Sequence, residues 1–381
     1  MATPRLSETK RAAIEVELKT GRLSARQIAK KLRVAVGTVS NVKHGMGTRQ
    51  AVDLLRAKEN LSDLTRRHKE ALKEIDTLRN ELNLFSTLDG YARHFKPVEI
   101  TSKSGGKGEA TAVLCVNDWH FEEKVDLAAV NGVNEFNLDV AKRRTTRLWQ
   151  SAASLIDMCR YRDKIDTIIV AVLGDLITGY IHDELVATNE LTPGEAVLAV
   201  FDCLISGLEY LKKELKPKEI IVPCVCGNHG RFTKKRWSKK GPGMSFEGIL
   251  YNLLARWFEA RKDKVIRFVL PQGDMTYLKV YDRTIRLTHG DNIRYAGGIG
   301  GVHVPMRKAL DTWNTYMRAD YNYFGHWHTD LRGEDYRISG SLIGFSEYSL
   351  RIKARYQRPI QAFELQHPKY GATAPFPIIL K

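Results

Sequence analysis

The sequence predicts a chain in three parts that ends in an α/β domain of two facing sheets flanked by helices. Three observations predict it. From residue 110 onward, short apolar runs of strand length alternate with amphipathic stretches of helix length. From Val265 on, strands outnumber helices, which a simple doubly wound sheet does not explain. Ahead of residue 96 the pattern is helical, first short and capped, then long and polar.

Residues 1–48 read as a small all-α unit. Lys10–Lys19 carries Ala13, Ile14, Val16 and Leu18 at helical spacing and meets a stop at Thr20-Gly21. Ser24 caps a second helix, Ala25–Leu32, and a third runs from about Val36 to Lys43, closed by His44-Gly45. Ala29 is small enough to sit where two helices cross, and Ile28, Leu32, Val34, Val39 and Val42 pin them together. This pattern resembles the helix-turn-helix of phage and bacterial regulators, recombinases and terminase small subunits. It departs at the turn, where Arg33 stands in place of the frequent glycine. The resemblance implies DNA binding, with Thr38, Ser40, Asn41 and Lys43 left for base edges and phosphates.

Charge points the same way. Lys and Arg number 60 against 44 Asp and Glu, a net of +16. Residues 1–50 hold eleven Lys/Arg and three Asp/Glu, so half of the excess sits in about an eighth of the chain. A polyanionic partner is the natural reading.

Residues 51–90 read as one long helix. Leu54, Leu61, His68, Ile75 and Leu82 recur every seven residues, with Ala57, Leu64, Ala71, Leu78 and Phe85 three positions later. That is an a/d seam without an internal Pro or Gly, and it predicts a two-stranded coiled coil and a homodimer through residues 51–88. Residues 96–109, with Pro97, Ser102, Ser104 and Gly105-Gly106, read as a linker to a domain over 110–381.

Composition excludes several classes. A hydrophobic content of 43% with 27% charged residues argues against wholesale disorder. No run of 18 apolar residues is present, and the opening Met-Ala-Thr-Pro-Arg lacks an apolar core, so neither a membrane span nor a secretory signal is expected. Five scattered cysteines fit a reducing cytoplasm, and Cys224 and Cys226 lie in an apolar strand as core thiols.

Five predicted strands each end in polar groups. Ala112–Val116 runs into Asn117-Asp118-Trp119-His120, and Ile165–Leu173 into Gly174-Asp175. Glu219–Val225 runs into Gly227-Asn228-His229-Gly230, Thr284–Thr288 into His289-Gly290, and Tyr323-Phe324 into Gly325-His326-Trp327-His328. Helices over Val140–Tyr161, Pro193–Leu215 and Phe246–Arg261 separate several of them. Strand C-termini are where an open α/β sheet gathers a ligand. Carboxylate, amide oxygen and imidazole suit Mn²⁺, Fe or Zn²⁺, and the set is large enough for two ions sharing a carboxylate.

This ordered set resembles the calcineurin-like metallophosphoesterase superfamily over roughly residues 110–350. The resemblance implies a two-sheet metallophosphoesterase sandwich and two divalent metal ions, with Mn²⁺ favoured and Fe, Zn²⁺ or Mg²⁺ also accommodated. It implies Asp118, His120 and His328 on the first metal, Asp175 bridging, and Asn228, His289 and His326 completing the second. It implies His229 as the catalytic residue facing the scissile phosphate.

The chain also departs from the family. Gly230 stands where an acid usually follows the Gly-Asn-His, with Asp291 as a substitute orienting group. Gly179 stands where protein phosphatases of the superfamily place an Arg, which counts against that activity. Asp118-Trp119-His120 is similar to the opening motif of SbcD-type DNA repair nucleases, although Thr178 stands where some of those carry a second His. His182 lies further along the same loop, either facing substrate or as ordinary loop.

Arg231, Lys234, Lys235, Arg236, Lys239 and Lys240 put six cations in ten residues just after His229, interleaved with Phe232 and Trp237. Such a loop suits a nucleic-acid strand, and Arg231, Lys234, Lys235 and Arg236 are the candidate DNA contacts here. Another cationic run, Arg351, Lys353, Arg355 and Arg358, alternates with Ile352, Ala354 and Tyr356 as an edge strand would. The expected function is a metal-dependent DNA nuclease with a tethered DNA-binding module. The alternative is a regulatory or packaging protein whose phosphoesterase acts on protein, nucleotide or RNA ends. The combination of parts fits a phage-encoded protein acting in the host cytoplasm.

Overall fold

The computed structural model describes residues 7–46, 66, 98–101, 108–294 and 301–381. The heptad seam of 51–88 and the glycine-rich stretch 295–300 lie outside the described residues. The chain divides into two units, Met1–Phe95 and Lys96–Lys381.

In the first unit, α1 (Glu8–Thr20) starts at Ser7 and ends at Gly21 with φ 64°. Ser24 and Gln27 form a reciprocal capping box at the start of α2 (Ala25–Leu32). Arg33 takes φ 47°, so it adopts the left-handed conformation for which glycine is usually selected, and the turn survives the departure. Residues 36–46 form α3. Ile14, Ile28, Ala29, Val39 and Val42 make one buried cluster, with Leu32 and Val34 packed on it. Every predicted pin is therefore in this core or packed against it, whereas Val16 is 60% exposed. Ser40, Asn41 and Lys43 are exposed and Thr38 is half-buried.

The second unit is a four-layer α/β sandwich. One sheet has the order β12-β11-β2-β3-β4-β5, and the other β1-β6-β7-β8-β10-β9. The first is formed by β2 (Glu109–Val116), β3 (Lys164–Val172), β4 (Glu219–Pro223), β5 (Ile266–Val269), β11 (Ile360–His367) and β12 (Gly371–Ile379). The second is formed by β1 (Val98–Ile100), β6 (Met275–Val280), β7 (Arg283–Thr288), β8 (Tyr321–Phe324), β9 (Leu331–Arg332) and β10 (Tyr336–Ile338).

Alternation along the strands builds the layers. Ala112, Leu114 and Val116 of β2 and Ile168, Val170 and Val172 of β3 face a core shared with α4 (Leu138–Arg160), α6 (Pro193–Leu215) and α7 (Phe246–Ala260). The residues between them, Val113, Cys115, Ile169 and Ala171, face Leu278, Ile285, Leu287 and Tyr323 of the opposite sheet. A smaller cluster around Phe324, Ile338, Met306 and Leu310 covers the outer face of the second sheet with α8 (His303–Trp313). Two short helices, α5 (Asp183–Thr188) and α9 (Glu347–Arg351), lie in loops.

Two expectations are corrected. Part of the expected 96–109 linker is strand β1, paired in parallel with β6 through Val98↔Leu278 and Ile100↔Val280. Ile100 is buried in the inter-sheet core, so the edge of β6 is covered by a strand whose two apolar residues were too few to register as a period. The expected basic edge strand around Arg351 is instead α9 and an irregular stretch. Ser346 caps α9 through Ser349, and Lys353 with φ 59° reverses the chain after it.

Among the described residues, no helix is long and apolar enough to cross a membrane. All five cysteines are free, with Cys224 and Cys226 buried among apolar side chains.

Candidate metal centre

β2, β3 and β4 of one sheet and β7 and β8 of the other present their C-terminal ends to one place. Two groups of donors gather there. Asp118, His120 and His328 form one, and Asp175, His289 and His326 the other, each with its donor atoms within 4.8 Å of one another. Both groups draw on both sheets.

The backbone is bent to make them. Asp118 (φ 48°), His120 (46°), Asp175 (51°), His326 (71°) and His328 (49°) all sit in the left-handed region. Each such non-glycine residue costs of order 1 kcal/mol or more, and such strain collects where geometry is needed for function. Trp119, fully buried between Phe121 and Trp149, anchors the turn from which Asp118 and His120 project. Gly174 and Gly227 let the second and third loops touch: a Cβ at Gly227 would overlap the Asp175 carboxylate.

In the first group, Asp118 Oδ2 accepts the Asn117 side-chain amide and, at 2.8 Å, the His326 backbone N–H. Asp118 Oδ1 is buried without a hydrogen-bond partner and lies 3.5 Å from His328 Nε2. His120 Nε2 is 3.2 Å from His328 Nε2, while its Nδ1 is held by Thr178 Oγ1 at 3.1 Å, with Glu123 at 3.6 Å. In the second group, His289 Nδ1 donates to the Leu173 carbonyl at 2.8 Å, which turns Nε2 toward Asp175 Oδ2 at 2.9 Å and Asn228 Oδ1 at 3.2 Å. Outer hydrogen bonds of this kind fix which imidazole nitrogen offers its lone pair to a metal. An orphaned carboxylate oxygen and inward-facing imidazoles make a donor set that fits divalent cations.

Electrostatics agrees. Burial would raise the Asp175 carboxyl, but the charges of His289 and His229 and the His289 hydrogen bond hold it well below the usual range. Burial would likewise raise Asp118, and His328 holds it low. His289 is pushed up to about 9, because the Asp175 charge and hydrogen bond outweigh its burial. His326 is driven down to about 3 by burial and the neighbouring His289. Two buried carboxylates and four imidazoles pulling one another's protons apart in this way is an arrangement that bound cations relieve.

His229 is set apart from both groups. Its backbone N–H donates to Asp175 Oδ1 at 2.8 Å, its ring packs edge-on to His120 at 4.8 Å, and its Nδ1 is buried without a partner. Burial lowers its pKa; the Asp175 charge opposes that, and the charges of His328, His289 and His182 add to it. His182 approaches it from the α5 side with ring centroids 5.8 Å apart.

The sequence reading missed Glu247. This buried carboxylate accepts the Leu176 N–H at 2.6 Å and the Gly227 N–H at 2.7 Å, so one side chain ties the Asp175 loop to the Asn228 loop. Its Cγ lies 3.0 Å from where a Cβ on Gly230 would be, so Gly230 leaves room for it. Burial and the Asp175 charge raise its pKa to about 8. In the sequence Ser245-Phe246-Glu247 reads only as an ordinary helix start, and nothing local marks it. Glu122 plays a parallel part, accepting the Thr178 and Gly179 N–H groups at 2.8 and 2.9 Å.

Two expectations change here. Asp291 does not orient His229; it pairs with Arg236. Arg236 also holds Asp274 at 3.0 Å, and Arg231 donates to the carbonyls of Asn228, Thr233 and Lys234. Those two arginines brace the loop, and Lys234, Lys235, Lys239 and Lys240 are left exposed.

No family model matches the chain, and no curated protein matches it. Solved structures similar to it include a single mutant of Vps29 from Entamoeba histolytica, at 13% identity and TM-score 0.28, covering 70% of this chain and 97% of that one. Vacuolar protein sorting 29 from Cryptosporidium parvum matches at 12% identity and TM-score 0.29, over 71% of this chain and 99% of that one. A dimetal phosphatase from Danio rerio matches at 8% identity and TM-score 0.32, over 75% of this chain and 100% of that one. The metal assignment rests on the donor geometry.

Proposed function

We propose that this protein is a two-metal phosphodiesterase of the calcineurin-like type that cuts DNA, with the N-terminal helices as a DNA-binding module. The observation that carries it is the pair of three-donor groups beside His229, from which a lysine-rich loop departs. Asp118, His120 and His328 would hold one ion, and Asp175, His289 and His326, with Asn228 beside them, would hold the other. When bound, two divalent cations would supply Lewis acidity toward phosphoryl oxygens and would lower the pKa of a water.

The chain's own groups do the rest. Glu247 and Glu122 fix the loops, so the donors need no rearrangement when charge develops. His229, in its imidazolium form, donates an N–H to the phosphoryl group as the new O–P bond forms and the old one breaks, and its proton passes to the leaving oxygen, leaving neutral imidazole. Lys234, Lys235, Lys239 and Lys240 meet neighbouring phosphates, and the exposed Phe232 and Trp237 give bases a face to stack on. Thr38, Ser40, Asn41 and Lys43 contact duplex DNA, and a dimer through residues 51–88 presents two such modules.

The test is cleavage of labelled single- and double-stranded DNA with Mn²⁺, Mg²⁺ or chelator, beside bis-p-nitrophenyl phosphate. Mn²⁺-dependent DNA cutting is expected. Turnover of the small diester with DNA left intact would replace DNA by another phosphoester and leave the metal centre standing.

Deleting residues 1–48 is expected to weaken duplex binding and flatten its salt dependence, by about 0.9 in slope for each phosphate contact removed. An unchanged slope in a binding titration across salt would remove the N-terminal module from the reading.

A further inference from the structure

We propose that the segment around α9, residues 348–358, is a second nucleic-acid contact that continues the substrate track beyond the metal centre; this rests on the DNA-cleaving reading above. It presents Arg351, Lys353, Arg355 and Arg358, all exposed, and none makes an ion pair among the described residues. Tyr348 is 65% exposed and Tyr356 46%. The two acids flanking the segment are engaged: Glu347 accepts the Asp126 backbone N–H at 2.9 Å, and Asp330 pairs with Arg337 at 2.6 Å.

The segment is fastened to the site and not free to wander. Gln357 Oε1 accepts the backbone N–H of Asp330, two residues beyond His328, at 2.9 Å. Glu347 holds the loop that follows His120, and the Tyr356 ring packs on Phe345 at 5.7 Å. The lysine-rich loop leaves the centre from His229, whereas this segment joins it behind His328 and His120. The two cationic segments thus reach the metals through different ligand loops, and a strand with its scissile phosphate on the metals has cations available on both flanks.

Uncompensated cations alone would suit any polyanion. The open tyrosine faces interleaved with them favour single-stranded nucleic acid, whose bases stack on aromatic rings while its phosphates meet the cations.

The test compares wild type with Arg351→Gln/Arg355→Gln and with Tyr348→Ala on single strands from about 4 to about 16 nucleotides. Each variant's thermal midpoint and bound metal serve as fold controls. Wild type is expected to bind longer strands more tightly. The double variant should lose that gain and lower the salt slope by about 1.4, at about 0.7 per charge for single strands. Tyr348→Ala should weaken long strands by about tenfold.

A length gain retained in both variants overturns the proposal while DNA cutting stands. Competition by polyglutamate as strong as by DNA of equal charge overturns it in favour of an acidic protein partner. If wild type neither binds nor cuts DNA, the underlying reading fails, and this one with it.

Discussion

Asp175→Ala is expected to leave a protein that retains neither metal at full occupancy and turns over phosphodiesters more than about 100-fold more slowly. One carboxylate does three things here. Asp175 Oδ2 faces His289 at 2.9 Å, Oδ1 holds the His229 backbone N–H at 2.8 Å, and its charge sets the protonation of the surrounding imidazoles. A residue that merely hydrogen-bonds a ligand is worth about 10–100-fold, so the ligand itself must cost more. Metal analysis after gel filtration, beside steady-state turnover, measures both halves. Asp175→Asn separates charge from shape, because it keeps the acceptor for His229 and loses the anion. Full activity with both ions in place in either variant would refute the two-metal assignment.

His229→Ala is expected to lower kcat on DNA by about 10²–10⁴-fold with metal content unchanged. The geometry gives the reason: the ring faces the centre between His120 and His182, with its Nδ1 unsatisfied, and is not part of either donor group. The leaving group discriminates its role. An alkoxide leaving from DNA needs a proton, whereas p-nitrophenolate does not. The loss should therefore be far smaller on bis-p-nitrophenyl phosphate. Equal losses on both substrates would reassign His229 to stabilising charge on the phosphoryl oxygens.

Much of this site was legible because its signals are local. Each of these polar groups follows an apolar strand within four residues, often beside a glycine, so the sequence could single out Asp118, His120, Asp175, His289, His326 and His328, which the structure brings into two groups, without knowing how the strands pack. The small N-terminal unit was legible for the same reason, since Ser24, Gln27 and its apolar pins all lie within a few turns.

What escaped was carried by long-range contacts or by side chains with several uses. Glu247 acts on Leu176, 71 residues away, and no local pattern announces that. Arg231 and Arg236 looked equivalent to their lysine neighbours in a run of cations. Their planar multi-donor heads are instead consumed by carbonyls and by Asp274 and Asp291, while the lysines stay in water. Val98–Ile100 is three residues long and becomes a strand only because β6 offers an edge.

The sequence by itself determined the longer helices, the strands that carry the site and the polar residue types at their ends, because apolar periodicity and glycine-flanked polar turns act over a few residues. Only the tertiary structure decided how the donors are grouped. Asp118 and His120 come from one sheet and His328 from the other; Asp175 comes from the first, and His289 and His326 from the second. That grouping depends on the register in which the two sheets pack across the inter-sheet core of Val113, Ile169, Leu287 and Tyr323. Hydrophobic burial is non-directional, so the apolar pattern requires the sheets to meet but does not state which strand ends face each other. The side chains that fill that core set the answer.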